Sequence, residues 1–116
     1  MVNDNKVELM TQLGSVLVRV GHRDLAGASF RLTEASAMLR RIVERRGKSL
    51  ETPVPKVGSA GVANLTALVV AAITRISKND LQGAYERICE SIVMVRRLTE
   101  LQEARRQRRV DALGGD

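Results

Sequence analysis

The chain has 116 residues, a formal net charge of +6 and a pI near 10.4. Apolar residues make up 44% of it and aromatic residues only 2%, which favours helices packed on helices over a β-sandwich. No stretch approaches about 18 uninterrupted apolar residues and the first residues are polar, so we expect no membrane span and a cytoplasmic location.

The first half of the chain predicts a helical hairpin over residues 5–46. Apolar side chains recur at three- and four-residue steps from Leu9 to Val20, which is the spacing of one helix face. The segment 21–23 interrupts this pattern, and Asp24 is placed to cap a second helix by accepting a hydrogen bond from an unpaired backbone amide. The short break forces the two helices to run antiparallel.

The second half predicts another hairpin over residues 62–104. Residues 47–61 contain both prolines and form the linker, which we expect to be mobile because it has few apolar groups to anchor it. Asp80 occupies the same capping position as the earlier aspartate, and the apolar pattern fades before a basic tail, residues 105–116, that we expect to fray.

The two hairpins are copies of one repeat. When the sequence is shifted by 56 positions, eleven of the twenty-six residues from 19 to 44 are identical to their partners: Arg19/Arg75, Asp24/Asp80, Leu25/Leu81, Gly27/Gly83, Ala28/Ala84, Arg31/Arg87, Glu34/Glu90, Met38/Met94, Arg40/Arg96, Arg41/Arg97 and Glu44/Glu100. Such self-similarity dictates architecture. We therefore predict an all-α, antiparallel up-down-up-down four-helix bundle, with the repeated glycines where neighbouring backbones approach closely.

Catalytic chemistry has little support in this sequence. His22 is the only histidine and has no metal ligand at a suitable spacing, so we expect neither a metal site nor a cofactor. Glu34 and Glu90 each lie three residues from an arginine, which predicts helix ion pairs rather than an acid/base pair. Cys89 is expected to be a packed side chain. We predict a non-enzymatic protein.

Arginines concentrate toward the ends of the second and fourth helices. In an up-down-up-down bundle those ends would meet, which predicts one basic pole made of Arg40, Arg41, Arg45, Arg46, Arg96, Arg97, Arg105, Arg106, Arg108 and Arg109. Compensation of helix dipoles explains two or three of these charges. The rest favour an acidic partner, either a protein or the phosphates of a nucleic acid.

Order and spacing over residues 7–102 resemble the FliS family of flagellin-specific export chaperones, which are four-helix bundles. The resemblance rests on the segments 24–28 (Asp-Leu-Ala-Gly-Ala), 64–68 (Asn-Leu-Thr-Ala-Leu) and 79–81 (Asn-Asp-Leu), although the family's tyrosine motifs are missing.

The resemblance implies a chaperone that holds a flagellin-like or other secreted helical client in an apolar groove. By family position the groove would involve Leu32, Leu39, Leu65, Leu68, Val69 and Ala72. Periodicity alone leaves open whether such residues line a groove or the core, and whether the protein is a monomer or a homodimer.

Overall fold

The computed structural model describes residues 4–114 and contains four helices there. Helix α1 spans Asp4–Gly21, α2 spans Leu25–Arg45, α3 spans Val62–Ser77 and α4 spans Leu81–Gly114. No strand occurs among these residues. The predicted all-α bundle of two helical hairpins is confirmed, and each helix packs on two others.

Both hairpin turns are closed by the predicted aspartate caps. Asp24 Oδ1 accepts a hydrogen bond from the Gly27 amide at 2.9 Å, and Asp80 Oδ1 accepts one from the Gly83 amide at 3.0 Å. A Cβ on either glycine would lie 2.8 Å from the aspartate Cγ and closer still to its Oδ2. The glycines therefore make room for the capping carboxylates. The atoms nearest to such a Cβ belong to the aspartate of the same turn and not to the hairpin partner.

The core is built from the apolar stripes of all four helices. The side chains with no exposed surface include Leu9, Leu13, Val16, Ala28, Leu32, Leu39, Leu65, Val69, Ile76, Ala84 and Ile88. On the outside, the predicted ion pairs form, since Arg31 pairs with Glu34 at 3.3 Å and Arg87 pairs with Glu90.

The order of helix directions differs from the prediction. Arg46 near the end of α2 donates to Asn79 in the turn before α4 at 3.0 Å, and Arg40 reaches Tyr85 in the first turns of α4. Helices α2 and α4 are therefore antiparallel, and the four helices run up, down, down, up. Because every pair of packed helices is antiparallel, the two hairpins are related by an approximate two-fold axis perpendicular to the bundle.

This arrangement requires the linker to run along the length of the bundle. Its backbone is tied to α4 near both ends, by the Glu51–Gln82 pair (3.0 and 3.1 Å) and by Arg97 donating to the Val57 carbonyl at 3.2 Å. Leu50 and Val57 pack against the core. The linker is a strap across α2 and α4 that is anchored near both ends, which corrects the expectation that it lacks anchoring groups.

Helix α4 continues far beyond the point where its repeat partner α2 stops. Gly47 adopts a φ of +71°, and the amide of Lys48 bonds back to the Val43 carbonyl at 3.1 Å, which ends α2. The residue at the matching position, 56 later, is Glu103, which favours continued helix. Residues 105–114 are helical, so the prediction of a frayed tail is wrong for them, while 115 and 116 lie outside the described residues.

Candidate functional site

The arginines predicted to form a single basic pole lie at two opposite ends of the bundle. Because α2 and α4 are antiparallel, Arg40, Arg41, Arg45 and Arg46 lie beside the α3–α4 turn, whereas the other arginines lie toward the opposite end. About 20 residues of α4 separate the two ends, which corresponds to about 30 Å at 1.5 Å per residue. The prediction failed because it depended on the helix directions.

At the first basic end, two of the arginines have structural partners. Arg40 donates to the Tyr85 hydroxyl from Nε at 3.1 Å and from Nη2 at 2.6 Å, and Tyr85 is itself buried. This hydrogen bond raises the pKa of the Arg40 guanidinium, so its charge is retained. Arg46 is bonded to Asn79. Of the four arginines at this end, only Arg41 and Arg45 therefore make no side-chain hydrogen bond within the described residues.

At the second end, residues 101–114 of α4 form a helix that is exposed on all sides, which we call the basic extension. At 100° per residue, its four arginines fall within an arc of about 160°. These arginines are Arg105, Arg106, Arg108 and Arg109. Glu103 and Asp111 lie outside that arc, and none of the four arginines forms an ion pair within residues 4–114. One side of the extension therefore presents free guanidinium groups.

The apolar side chains on the basic extension do not form a continuous stripe. Leu101, Val110 and Leu113 are exposed by 42%, 55% and 84%. Val110 and Leu113 point about 60° apart, and both point about 120° to 180° away from Leu101. An amphipathic helix that docks in a protein groove instead carries a continuous apolar stripe. The extension is organised by charge and not by hydrophobicity.

The base of the basic extension borders a cleft. Arg23 from the α1–α2 turn and Arg105 from α4 line the same space of about 250 Å³, together with apolar side chains such as Leu25 and Leu98. The turn therefore adds one arginine to the start of the basic arc. Sequence spacing could not place Arg23 here, because the two arginines are 82 positions apart.

Residues proposed for an apolar groove lie in the core instead. Leu32, Leu39, Leu65, Val69 and Ala72 have no exposed surface, and Leu68 is partly buried. Their stripes face the neighbouring helices, because these are the i, i+3, i+4 positions by which the bundle is closed. In this structure they line no open groove, so that assignment is wrong for the five buried residues.

The remaining candidate groups are His22, Cys89 and the acidic side chains. His22 is exposed in the α1–α2 turn, and no group of three or more His, Cys, Asp or Glu side chains within residues 4–114 is arranged to hold a metal. Burial raises the pKa of the Cys89 thiol, and the neighbouring Tyr85 hydroxyl and the charge of Arg40 act in the opposite direction. Among these same residues no helix is both long and apolar enough to cross a membrane.

Comparisons of the chain with protein families, with curated proteins and with solved structures find no match. The resemblance to the export chaperones therefore stays a hypothesis based on the sequence motifs.

Proposed function

We propose that the protein is a non-catalytic binding module that holds the phosphate backbone of a nucleic acid on its basic extension. The observation that carries the proposal is the exposed helix 101–114, whose four arginines share one side and have no acidic partner within the described residues. Guanidinium groups suit this role because their planar fork donates two parallel hydrogen bonds to phosphate.

Phosphate is favoured over an acidic protein surface by the absence of an apolar anchor. The central part of a protein interface is normally apolar, with a few buried aromatic or aliphatic residues supplying most of the affinity. The basic extension has no continuous apolar stripe and no aromatic residue. Binding to a nucleic-acid backbone needs neither, because its affinity comes from charge and counterion release.

The same features predict the kind of nucleic acid. Stacking on exposed aromatic side chains, by which many proteins hold single strands, has no counterpart on the extension. Duplex DNA or RNA, with its higher charge density, should therefore bind better than a single strand, and without sequence preference. Four phosphate contacts would give a slope of about −3.6 for log affinity against log salt concentration.

The proposal can be tested by fluorescence anisotropy with a labelled DNA duplex over a range of salt concentrations. The double variant Arg106→Gln/Arg109→Gln removes two charges from the basic arc while keeping helix propensity almost unchanged. The salt slope should fall in magnitude by about 1.8. The matched control, Arg41→Gln/Arg45→Gln, removes the same charge from the other end and should leave the slope near its original value.

Equal losses in the two double variants would contradict the proposal, because binding would then depend only on net charge. Polyglutamate serves as the second probe. If it binds as tightly as the duplex, the extension recognises acidic protein segments and the assignment to nucleic acid is wrong.

The export-chaperone hypothesis is supported by the sequence motifs and by the four-helix bundle alone. Five of its six groove residues are buried, so a client would have to bind elsewhere or open the bundle. Failure of the purified protein to bind the C-terminal segment of flagellin would end this hypothesis. The predicted cytoplasmic location belongs equally to both hypotheses.

A further inference from the structure

The approximate two-fold axis passes through two long sides of the bundle, and these two sides differ. The side formed by α2 and α4 is crossed by the strap, whose Leu50 and Val57 pack on the core. The side formed by α1 and α3 has no covering segment within residues 4–114. We call this second side the α1/α3 face.

The α1/α3 face also differs from the other surfaces because the middle of each of its helices lacks charged residues. The central segments 9–18 of α1 and 62–74 of α3 contain no charged residue at all, although many of their side chains reach the surface. The partly buried or exposed apolar side chains on these helices include Val7, Met10, Leu17, Val18, Val70 and Ile73.

Helix geometry places these side chains on one surface. Gln12 marks the side of α1 that faces α2, because it donates to Glu34 Oε1 at 2.9 Å. Met10 and Leu17 point about 140° to 160° away from Gln12, toward α3 and solvent. The repeat relates Gly14 and Leu17 of α1 to Val70 and Ile73 of α3, so the matching side of α3 faces the same way.

Gly14 provides an independent observation at the middle of this face. A Cβ at Gly14 would meet no atom within 4 Å, so nothing in the described residues requires glycine there. Glycine inside a helix costs about 1 kcal/mol relative to alanine. An unexplained glycine on an uncovered apolar face suits the close approach of another helix from outside the chain.

We propose that the α1/α3 face is the interface of a homodimer, in which two copies of this chain pack face to face. The length of α1, 18 residues, and the width of two helices give about 540 Å² per copy, or about 1,100 Å² for the pair. This is above the roughly 1,000 Å² expected of a specific interface, at the small end of the range.

The distribution of charge indicates that two copies of the chain would meet through the α1/α3 face and not through another surface. Two chains of net charge +6 repel each other, and the arginines are concentrated at the two ends and on α2 and α4. The α1/α3 face brings two copies together without burying a charge, whose desolvation would be costly. Its approximate two-fold symmetry also suits an isologous contact.

The dimer does not compete with the proposed nucleic-acid binding. Helix α4 makes no contact with α1 and belongs to the layer opposite the α1/α3 face, so both basic extensions would stay exposed. The inference therefore stands or falls independently of the proposed function.

Sedimentation equilibrium of the full chain from about 5 µM to about 500 µM covers the affinities expected of an interface this size. Wild-type protein should approach twice the 12.7 kDa of the monomer at the upper end. Val70→Asp, which places a charge on the α1/α3 face, should stay monomeric. The control Val110→Asp makes the same change on the basic extension, at similar exposure (55% against 46%), and should dimerise like the wild type.

A monomeric wild type at the highest concentration would overturn the proposal and leave the face to a different protein chain. Dimerisation by both variants, or by neither, would also overturn it. Far-UV circular dichroism of each variant at low concentration verifies that the helices are intact.

The substitution Gly14→Ala gives a second test, because it should stabilise the monomer and weaken the dimer. At low concentration, where the monomer dominates, the variant should unfold at a higher temperature because alanine is the better helix former. Its dimer dissociation constant should rise about tenfold, because the added methyl group holds the helices apart. An unchanged dissociation constant would contradict the close approach on which the proposal depends.

Discussion

Replacement of Gly27 by alanine should have an effect that depends on Asp24. In the wild-type chain, alanine would gain about 1 kcal/mol of helix propensity. Its Cβ, however, would collide with the Asp24 carboxylate, whose Oδ1 accepts a hydrogen bond from the residue 27 amide at 2.9 Å. The carboxylate must shift to admit this Cβ, and a shift that breaks its hydrogen bond to the residue 27 amide forfeits the cap, which is worth about 1 kcal/mol. We therefore expect almost no net change in the free energy of unfolding.

The same substitution made after Asp24→Ala should be clearly stabilising. Asp24→Ala alone should cost about 1 kcal/mol for the cap. The ion pair with Arg19, at 3.4 Å and with both side chains about half exposed, should add little to this cost. With no carboxylate in the way, Gly27→Ala then regains about 1 kcal/mol. The coupling between the two positions is therefore about 1 kcal/mol, with the double variant close to wild type.

Urea denaturation followed by far-UV circular dichroism measures this cycle, because the chain has no tryptophan and is mostly helical. The repeat supplies an internal control, since Asp80 and Gly83 form the same cap and should give the same coupling. If Gly27→Ala destabilises the protein equally with and without Asp24, the reasoning is refuted. The glycine would then be required by a neighbouring helix, and the role of the capping carboxylate would be wrong.

Three further predictions concern other parts of the chain. Arg23 has a φ of +60°, which is unfavourable for arginine. Its repeat partner Asn79 has a φ of +62°, which asparagine tolerates better. Arg23→Asn should therefore stabilise the protein by about 1 kcal/mol, seen as a rise of about 4 °C in the unfolding temperature; a fall would contradict this. Since burial raises the pKa of Cys89, its alkylation by iodoacetamide should have its pH midpoint above the roughly 8.5 of an ordinary thiol, and a lower midpoint would show an activated thiolate. Truncation after Leu101 should remove duplex binding yet leave the unfolding temperature nearly unchanged, because residues 102–114 are exposed throughout; a large fall would show that the extension supports the bundle.

Much of the fold could be predicted because it is local. The hairpin turns, the caps at Asp24 and Asp80 and the helix ion pairs depend on residues at most five positions apart, and the repeat shows each of them twice. The stripe of apolar residues on each helix likewise follows from a spacing of 3.6 residues per turn. These features are confirmed at the predicted positions.

The direction of the second hairpin could not be predicted from the same local patterns. A linker of 15 residues can turn back at once or, at about 3.3 Å per residue, reach the far end of the bundle, and both arrangements bury the same apolar stripes. Contacts between distant residues, such as Arg46 with Asn79 and Arg97 with Val57, distinguish the two.

The candidate sites divide in the same way. Sequence alone determined that the chain is basic and that its arginines cluster near the ends of two helices. Only the tertiary structure separated those clusters and sent the apolar residues of the expected groove into the core. It also left the α1/α3 face without a covering segment among the described residues, because the exposed side of an amphipathic helix depends on its neighbours as well as on its own periodicity.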